Sequence, residues 1–257
     1  MTDDSDLSGK RAIVTGASAG IGRSTARLLA EEGAAVAVAA RREHRLNELA
    51  DEFGPSDDGE ILVVPTDVTD TDQIDALVAE TVDAFGGLDI VVSNAGLLPP
   101  NGIDDLTEDQ YRNFMGVNVD GMYFLTKASL PHLREGEGNL VFVGSYAGTL
   151  PFPRSPLYAG SKWWLRGFAH SLQGAEGMEG VAVSVVNPGE VRTEIGEAAR
   201  GETNIDRYDP GEITEPREAA EAIVFTARQH PPNTVTELNL MRRTKFDNLR
   251  HRSEFPD

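Results

Sequence analysis

The feature that most constrains this chain is a strict alternation. Short β-branched runs that are apolar on both faces are separated by longer amphipathic segments. The runs are Arg11–Thr15, Ala35–Ala40, Ile61–Pro65, Ile90–Asn94, Asn139–Gly144, Val181–Asn187 and Val235–Leu240. Strands apolar on both sides belong inside a sheet covered above and below. Helical periodicity falls between them, at Ile21–Glu32, Glu43–Phe53, Thr71–Phe85, Thr107–His132, Pro156–Leu172 and Arg217–Arg228. The pattern predicts an α/β protein: a single doubly wound Rossmann-type domain spanning 1–257, with a seven-stranded parallel sheet and helices on both faces. The 257 residues suffice for one large core. Residues 1–8 and 248–257 are expected to be mobile. Glu190–Pro216 lacks periodicity and is expected to form a substrate lid loop.

Composition removes several classes of function. With no cysteine, disulfides, thiolate catalysis and cysteine-ligated metals are excluded. The five histidines show no metal-binding spacing, so no metal is expected. The N-terminus carries no secretory signal, and no apolar run approaches the roughly 20 residues that span a bilayer. A cytoplasmic protein is expected. The net charge of -19, from 42 acidic against 23 basic residues, should repel nucleic acid and anionic membranes. Such a surface repels itself, and molar salt would relieve it. Abundant carboxylates with only four lysines suggest a salt-adapted protein; an ordinary acidic mesophilic protein is the alternative.

The first strand runs directly into Thr15-Gly16-Ala17-Ser18-Ala19-Gly20-Ile21-Gly22, followed by a helix. Glycines there let the backbone approach a pyrophosphate at a helix N-terminus. The spacing is GxxxGxG rather than GxGxxG, and a tight turn with no ligand is the alternative. After the second strand an NAD site would place a carboxylate against the ribose 2′-hydroxyl. Here the chain reads Arg41-Arg42. Arg41 suits a 2′-phosphate through its guanidinium fork, whereas Arg42 reads as a solvated helix-start residue. NADP(H) is therefore the preferred cofactor, with NAD(H) as the alternative. Ala19 stands where a basic residue would have strengthened that preference.

Tyr158 and Lys162 lie four positions apart in a predicted helix and share a face. A neighbouring ammonium is expected to lower the tyrosine pKa and so make the hydroxyl a proton shuttle. Ser145 ends the fifth strand, at the sheet edge where open α/β folds bind ligands. Asn118 lies in the helix before that strand. A packing tyrosine, a solvated lysine, a turn serine and a surface asparagine are the plainer readings of these four.

Together these residues resemble the classical short-chain dehydrogenase/reductase family over almost the whole chain. Its glycine motif matches Gly16, Ser18, Gly20, Ile21 and Gly22, and its adenine-contacting pair matches Asp67 and Val68. Its NAG motif matches Asn94, Ala95 and Gly96, and its Pro-Gly segment matches Pro188, Gly189, Val191 and Thr193. The resemblance assigns these residues, with Arg41, Tyr158 and Lys162, to cofactor binding. It assigns catalysis to Asn118, Ser145, Tyr158 and Lys162. It implies an NADP(H)-dependent interconversion of a secondary alcohol and a ketone. Tyr158 would be general acid/base, Lys162 would hold the nicotinamide ribose, Ser145 the substrate oxygen, and Asn118 a proton-relaying water. The resemblance also implies a homotetramer or homodimer built on the Thr107–His132 and Pro156–Leu172 helices, with Trp163 and Trp164 as interface anchors or core packing. Local stretches such as Gly144–Gly148 and Thr236–Leu240 resemble the 3-hydroxy acid (serine-type) branch, with Arg154, Arg192 or Arg200 as carboxylate ligands. A catalytically silent NADP(H)-binding sensor or scaffold is the reading from another class.

Overall fold

Alternating side chains along each strand feed two separate cores. In the computed structural model, which describes residues 7–54, 59–100, 102–104 and 106–244, Ala12, Val14, Val36 and Val38 enter one apolar cluster. Ile13, Ala37 and Ala39 enter the other. Between them lies one parallel sheet of seven strands in the order β3-β2-β1-β4-β5-β6-β7. The strands are β1 Arg11–Thr15, β2 Ala35–Ala40, β3 Glu60–Pro65, β4 Ile90–Ser93, β5 Asn139–Val143, β6 Ala182–Pro188 and β7 Glu237–Leu240.

Helices α1 (Gly20–Glu31) and α9 (Pro216–Ala227) supply Leu28, Leu29, Ile223 and Val224 to the first core. Helices α3 (Thr71–Phe85), α5 (Gly121–Glu135) and α6 (Pro156–Glu176) supply Ile74, Leu77, Leu125, Leu133 and Leu165 to the second. Each of these leucines and isoleucines is buried and contributes about 2 kcal/mol by leaving water. Helix α2 (Glu43–Ala50) follows β2, and α4 (Glu108–Met115) precedes α5. Ends are set by local chemistry. Asp70 caps α3 by accepting from the amides of Asp72 and Gln73, and Gly86 stops it at φ 80°.

Two differences from the sequence reading bear on the site. The single helix expected over Thr107–His132 is α4 and α5 joined by a π-helical turn, Gly116–Asp120. Asn94 and Gly144 leave their strands and turn into loops at the carboxyl edge. Elsewhere the boundaries move by a few residues, most at α6, which runs to Glu176.

The Glu190–Pro216 segment has structure of its own: α7 (Glu197–Arg200), α8 (Asn204–Arg207) and a parallel bridge between Val191 and Thr214. At the N-terminus Leu7 is buried and its amide donates to Glu32 O at 2.8 Å, so Leu7 is anchored rather than mobile. Residues 1–6 and 248–257, also expected to be mobile, lie outside the described residues.

Candidate active site

The turn from β1 into α1 is possible only because of its glycines. Gly16 (φ 68°) and Gly20 (φ 57°) are left-handed. A Cβ on Gly16 would lie 2.7 Å from Asn94 Nδ2, and one on Gly20 would lie 2.9 Å from Thr193 Cγ2. A Cβ on Gly22 would collide with Gly16 O. Three chain segments, the turn, the Asn94–Gly96 loop and the stretch after β6, therefore pack at van der Waals limits. Thr15 ties two of them together. Its Oγ1 accepts from the amides of Asn94 and Ala95, both at 3.1 Å, while Asn94 Nδ2 donates to Thr15 O at 2.8 Å. Thr15 opens the glycine motif, yet sequence alone gives it no role.

Helix α1 begins on Ala19 with no side-chain cap and no acidic residue in its first turn. Its leading amides, which have no acceptor within the helix, form a set of donors at the positive end of a helix dipole. That arrangement fits an anion such as a pyrophosphate.

On the other side of the sheet's midline, Tyr158 and Lys162 project from the first two turns of α6. Lys162 is 6% exposed, and one of its three donors is taken by Val143 O at 2.9 Å. Its ammonium lies 5.8 Å from the centroid of the Tyr158 ring. Ser145 accepts from the Ala147 amide at 3.1 Å, and its hydroxyl is near enough to Tyr158 to act on that group's pKa. Asn118 sits in the π-helical turn, 1% exposed. Its amide clamps the backbone of Leu97, accepting from N at 2.8 Å and donating to O at 3.0 Å. A Cβ on Gly96 would approach Asn118 Oδ1 and Lys162 Nζ at 4.0 Å each, so these groups border one space.

The electrostatics correct one expectation. Lys162 does not lower the Tyr158 pKa here; burial raises it, and the nearby Ser145 hydroxyl only partly offsets that. Burial acts on the lysine too, lowering its pKa to about 8. The ammonium is bonded to a carbonyl of β5 rather than to the phenol, and its own charge is disfavoured.

A family profile described as short chain dehydrogenase matches residues 10–204. The chain belongs to the short-chain dehydrogenase family. An uncharacterised oxidoreductase of Staphylococcus aureus (strain USA300) is 33% identical over 235 residues, 91% of this chain and 97% of that one. Among solved structures, the alcohol dehydrogenase of the archaeon Thermococcus sibiricus, complexed with 5-hydroxy-NADP, has a TM-score of 0.83 at 28% identity. It covers 92% of this chain and 97% of its own. The closed form of a serine dehydrogenase complexed with NADP+ has a TM-score of 0.82 at 26% identity, over 91% and 95%.

Within this short-chain dehydrogenase the two arginines after β2 have different surroundings. Arg41 is 62% exposed at its side chain, and its only close partner among the described residues is Asp67, at 3.9 Å. Arg42, read as solvated, instead lies against the glycine-rich turn. Its Nε and Nη2 donate to Ser18 Oγ at 3.2 and 3.0 Å, and its Nη1 donates to Glu194 at 3.0 Å. Arg45 holds the same carboxylate at 2.7 Å. Glu194 follows Thr193 directly, so the segment after β6 is fastened to the second strand's end by charge.

The other expected positions take structural roles as well. Asp67 caps its own turn by accepting from Thr69, while a Cβ on Gly121 would lie 2.7 Å from Val68 O. Pro188 ends β6, Gly189 donates to Leu240 O, Val191 is bridged to Thr214, and Thr193 is buried. Of the three arginines offered to a carboxylate, Arg192 bonds Tyr208 O and Arg200 bonds Asn204 Oδ1, both within the Glu190–Pro216 segment. Arg154 is exposed on the loop before α6. Among the described residues no helix is long and apolar enough to cross a membrane, and no acidic or histidine cluster could hold a metal.

Proposed function

We propose that the chain is an NADP(H)-dependent oxidoreductase that interconverts a secondary alcohol and a ketone. One observation carries this reading: Tyr158 and Ser145 lie close enough to influence each other beside a buried lysine, in a space bordered by Asn118 and Gly96.

The chain's own groups fit a dinucleotide. The uncapped α1 amides would hold the pyrophosphate, with Gly16, Gly20, Ile21 and Gly22 shaping the turn. Ser18 and Arg42, with Arg41 beside them, would take a 2′-phosphate, for which Arg42 must release Glu194. Asp67 and Val68 would border the adenine. Asn94, Ala95, Gly96 and Lys162 would hold the nicotinamide ribose, and Pro188, Gly189, Val191 and Thr193 would complete the wall at the end of β6. When bound, the nicotinamide supplies or accepts the hydride.

Tyr158 donates its proton to the carbonyl oxygen in reduction and takes it back in oxidation. Ser145 steadies the same oxygen as charge grows there. Because burial raises the Tyr158 pKa, the hydroxyl is protonated at neutral pH. Reduction should then be flat through neutral pH and fall only as the phenol ionises, whereas oxidation should climb with pH.

Exposed Tyr123, Trp163 and Trp164 on α5 and α6 support assembly as a homodimer or homotetramer through those helices. The net charge of -19 supports salt adaptation. Unfolding midpoints that stay level or fall between dilute buffer and molar KCl would remove that part.

The deciding experiment is an initial-rate assay in molar KCl. NADPH is compared with NADH across 3-oxo acids, 3-oxoacyl thioesters, sugars and simple ketones, and 3-hydroxy acids with NADP+ are run in reverse. Turnover favouring NADPH supports the reading. Tight binding of NADPH without turnover of any substrate would favour a sensor instead.

A further inference from the structure

Ser145 stands just beyond the end of β5, where the last β5–β6 ladder bond is Gly144 N to Val186 O at 2.8 Å. Its own amide is not met by backbone. It donates to the side chain of Asn187, to Oδ1 at 3.2 Å. Asn187 is 1% exposed, and Gly144 is a glycine because a Cβ there would collide with that same oxygen. The position of Ser145 therefore depends on which way the Asn187 amide faces. Flipped, its NH2 would confront the Ser145 N–H, donor against donor.

Something must set that orientation, and the partner of Asn187 Nδ2 does so. Nδ2 donates to Glu237 Oε1 at 3.0 Å. An ionised carboxylate can only accept, so Glu237 compels the nitrogen to face β7 and leaves the oxygen for Ser145. Asn239 Oδ1 also accepts, at 3.2 Å, but Asn239 is exposed and its own amide could equally turn a donor inward. Glu237 has no such freedom. Its side chain is 14% exposed and is held by two groups on α6. Arg166 Nε lies 3.0 Å from both oxygens and His170 Nε2 lies 2.8 Å from Oε2. These contacts keep its pKa below the usual carboxylate range against the opposing effect of burial.

We propose that Glu237 is a positioning residue for Ser145, acting through the amide of Asn187. The inference rests on the role given to Ser145 above. Arg166 and His170 hold the carboxylate from behind, so the relay runs from α6 through the edge strand to the end of β5. The sequence marks the residue only as part of the Thr236–Leu240 stretch.

The test uses Glu237→Gln, Asn187→Asp and the two together in the full-length enzyme. In Glu237→Gln the new amide can turn either its oxygen or its NH2 toward Asn187, and so permits the flip. In Asn187→Asp alone, the new carboxylate faces that of Glu237. In the double variant the aspartate accepts from the Ser145 amide while the glutamine donates to the aspartate, which restores the pattern with the total charge unchanged. Expected are a loss of kcat of about tenfold in Glu237→Gln with KM for the cofactor unmoved, and recovery to within about threefold of wild type in the double variant. Hydrogen exchange of the Ser145 amide, read by NMR, should quicken by about tenfold in Glu237→Gln and slow again in the double variant. Wild-type exchange and kcat in Glu237→Gln, or a double variant no better than Asn187→Asp, overturn the proposal. If Asn187→Asp alone does not fold, Glu237→Gln and the double variant still decide. A wild-type enzyme without turnover would instead remove the functional reading, and the exchange measurement would continue to decide this one.

Discussion

The two halves of the site are built from different materials. Around the end of β5 and the start of α6, polar groups from several elements are buried: Asn187 of β6 and Asn118 of the π-helical turn at 1% exposure, Lys162 of α6 at 6%. Each of them bonds a backbone atom: Asn118 the N and O of Leu97, Lys162 the O of Val143, and Asn187 the amide of Ser145. At the end of β2 the side chains of Arg41, Arg42 and Glu194 are 62, 43 and 39% exposed and pair with other polar side chains: Arg41 with Asp67, Arg42 with Ser18 and Glu194. Buried hydrogen bonds fix geometry, and a group left without its partner there costs about 1–3 kcal/mol. Exposed ion pairs contribute about 0–1 kcal/mol and exchange readily for other partners. The first half is suited to holding reacting atoms in place. The second is suited to recognising a charge that comes and goes.

The comparison breaks most visibly if Tyr158→Phe keeps its turnover. We expect a fall in kcat of about 10³-fold, within the range for general acid–base groups. Dissociation constants for NADPH, followed by fluorescence, should stay within about threefold, since only a hydroxyl on the reacting side is lost. Turnover near wild type would mean that the buried half does not perform the proton transfer.

The exposed half is tested by Arg42→Ala beside Arg41→Ala. Loss of the guanidinium bonded to Ser18 should weaken NADPH binding by about 10–50-fold, because hydrogen bonds to charged groups contribute about 1.5–3 kcal/mol. NADH, lacking the 2′-phosphate, should change by no more than about twofold. Arg41→Ala should cost NADPH only a few-fold, since that side chain is more exposed and lies 3.9 Å from its nearest partner. The reverse ranking would restore the assignment made from sequence, and equal losses for both cofactors would show that Arg42 supports the turn rather than the phosphate.

Legibility in the sequence follows the same division. The sheet could be read because burial on both faces writes itself as uninterrupted apolar runs such as Ala35–Ala40 and Ile90–Ser93. Tyr158 and Lys162 could be paired because a helix fixes what lies four residues apart. The contacts of Arg42 were not legible, since its direction depends on its own backbone (φ -88°, ψ 78°) and on Glu194, 152 positions away. Helices α7 and α8, at four residues each, are too short to show a period. The π-helical turn at Asn118 shares its apolar pattern with an ordinary helix. The direction of the Tyr158 pKa is not legible because four-residue spacing reports proximity, whereas desolvation depends on the whole surrounding shell.

Lys162 gives the sharpest view of what the buried half costs the fold, read in stability rather than in turnover. Its pKa falls from 10.5 to about 8 on folding because burial disfavours the ammonium. Between those values the unfolded chain keeps a proton that the folded chain has released, so stability rises with pH across that window. Below about pH 8 the folded protein carries the buried charge at full cost, about 3 kcal/mol at most. Lys162→Met removes that cost but leaves Val143 O without its donor, which takes back about 1 kcal/mol. At pH 7 the variant should therefore be inactive yet more stable by about 1–2 kcal/mol, a rise of roughly 3–6 °C in Tm. The gain should shrink as the pH approaches 10. A variant no more stable than wild type at pH 7, measured without cofactor, would show that the ammonium is already compensated, and the contrast between a strained buried half and a relaxed exposed half would fail at this residue.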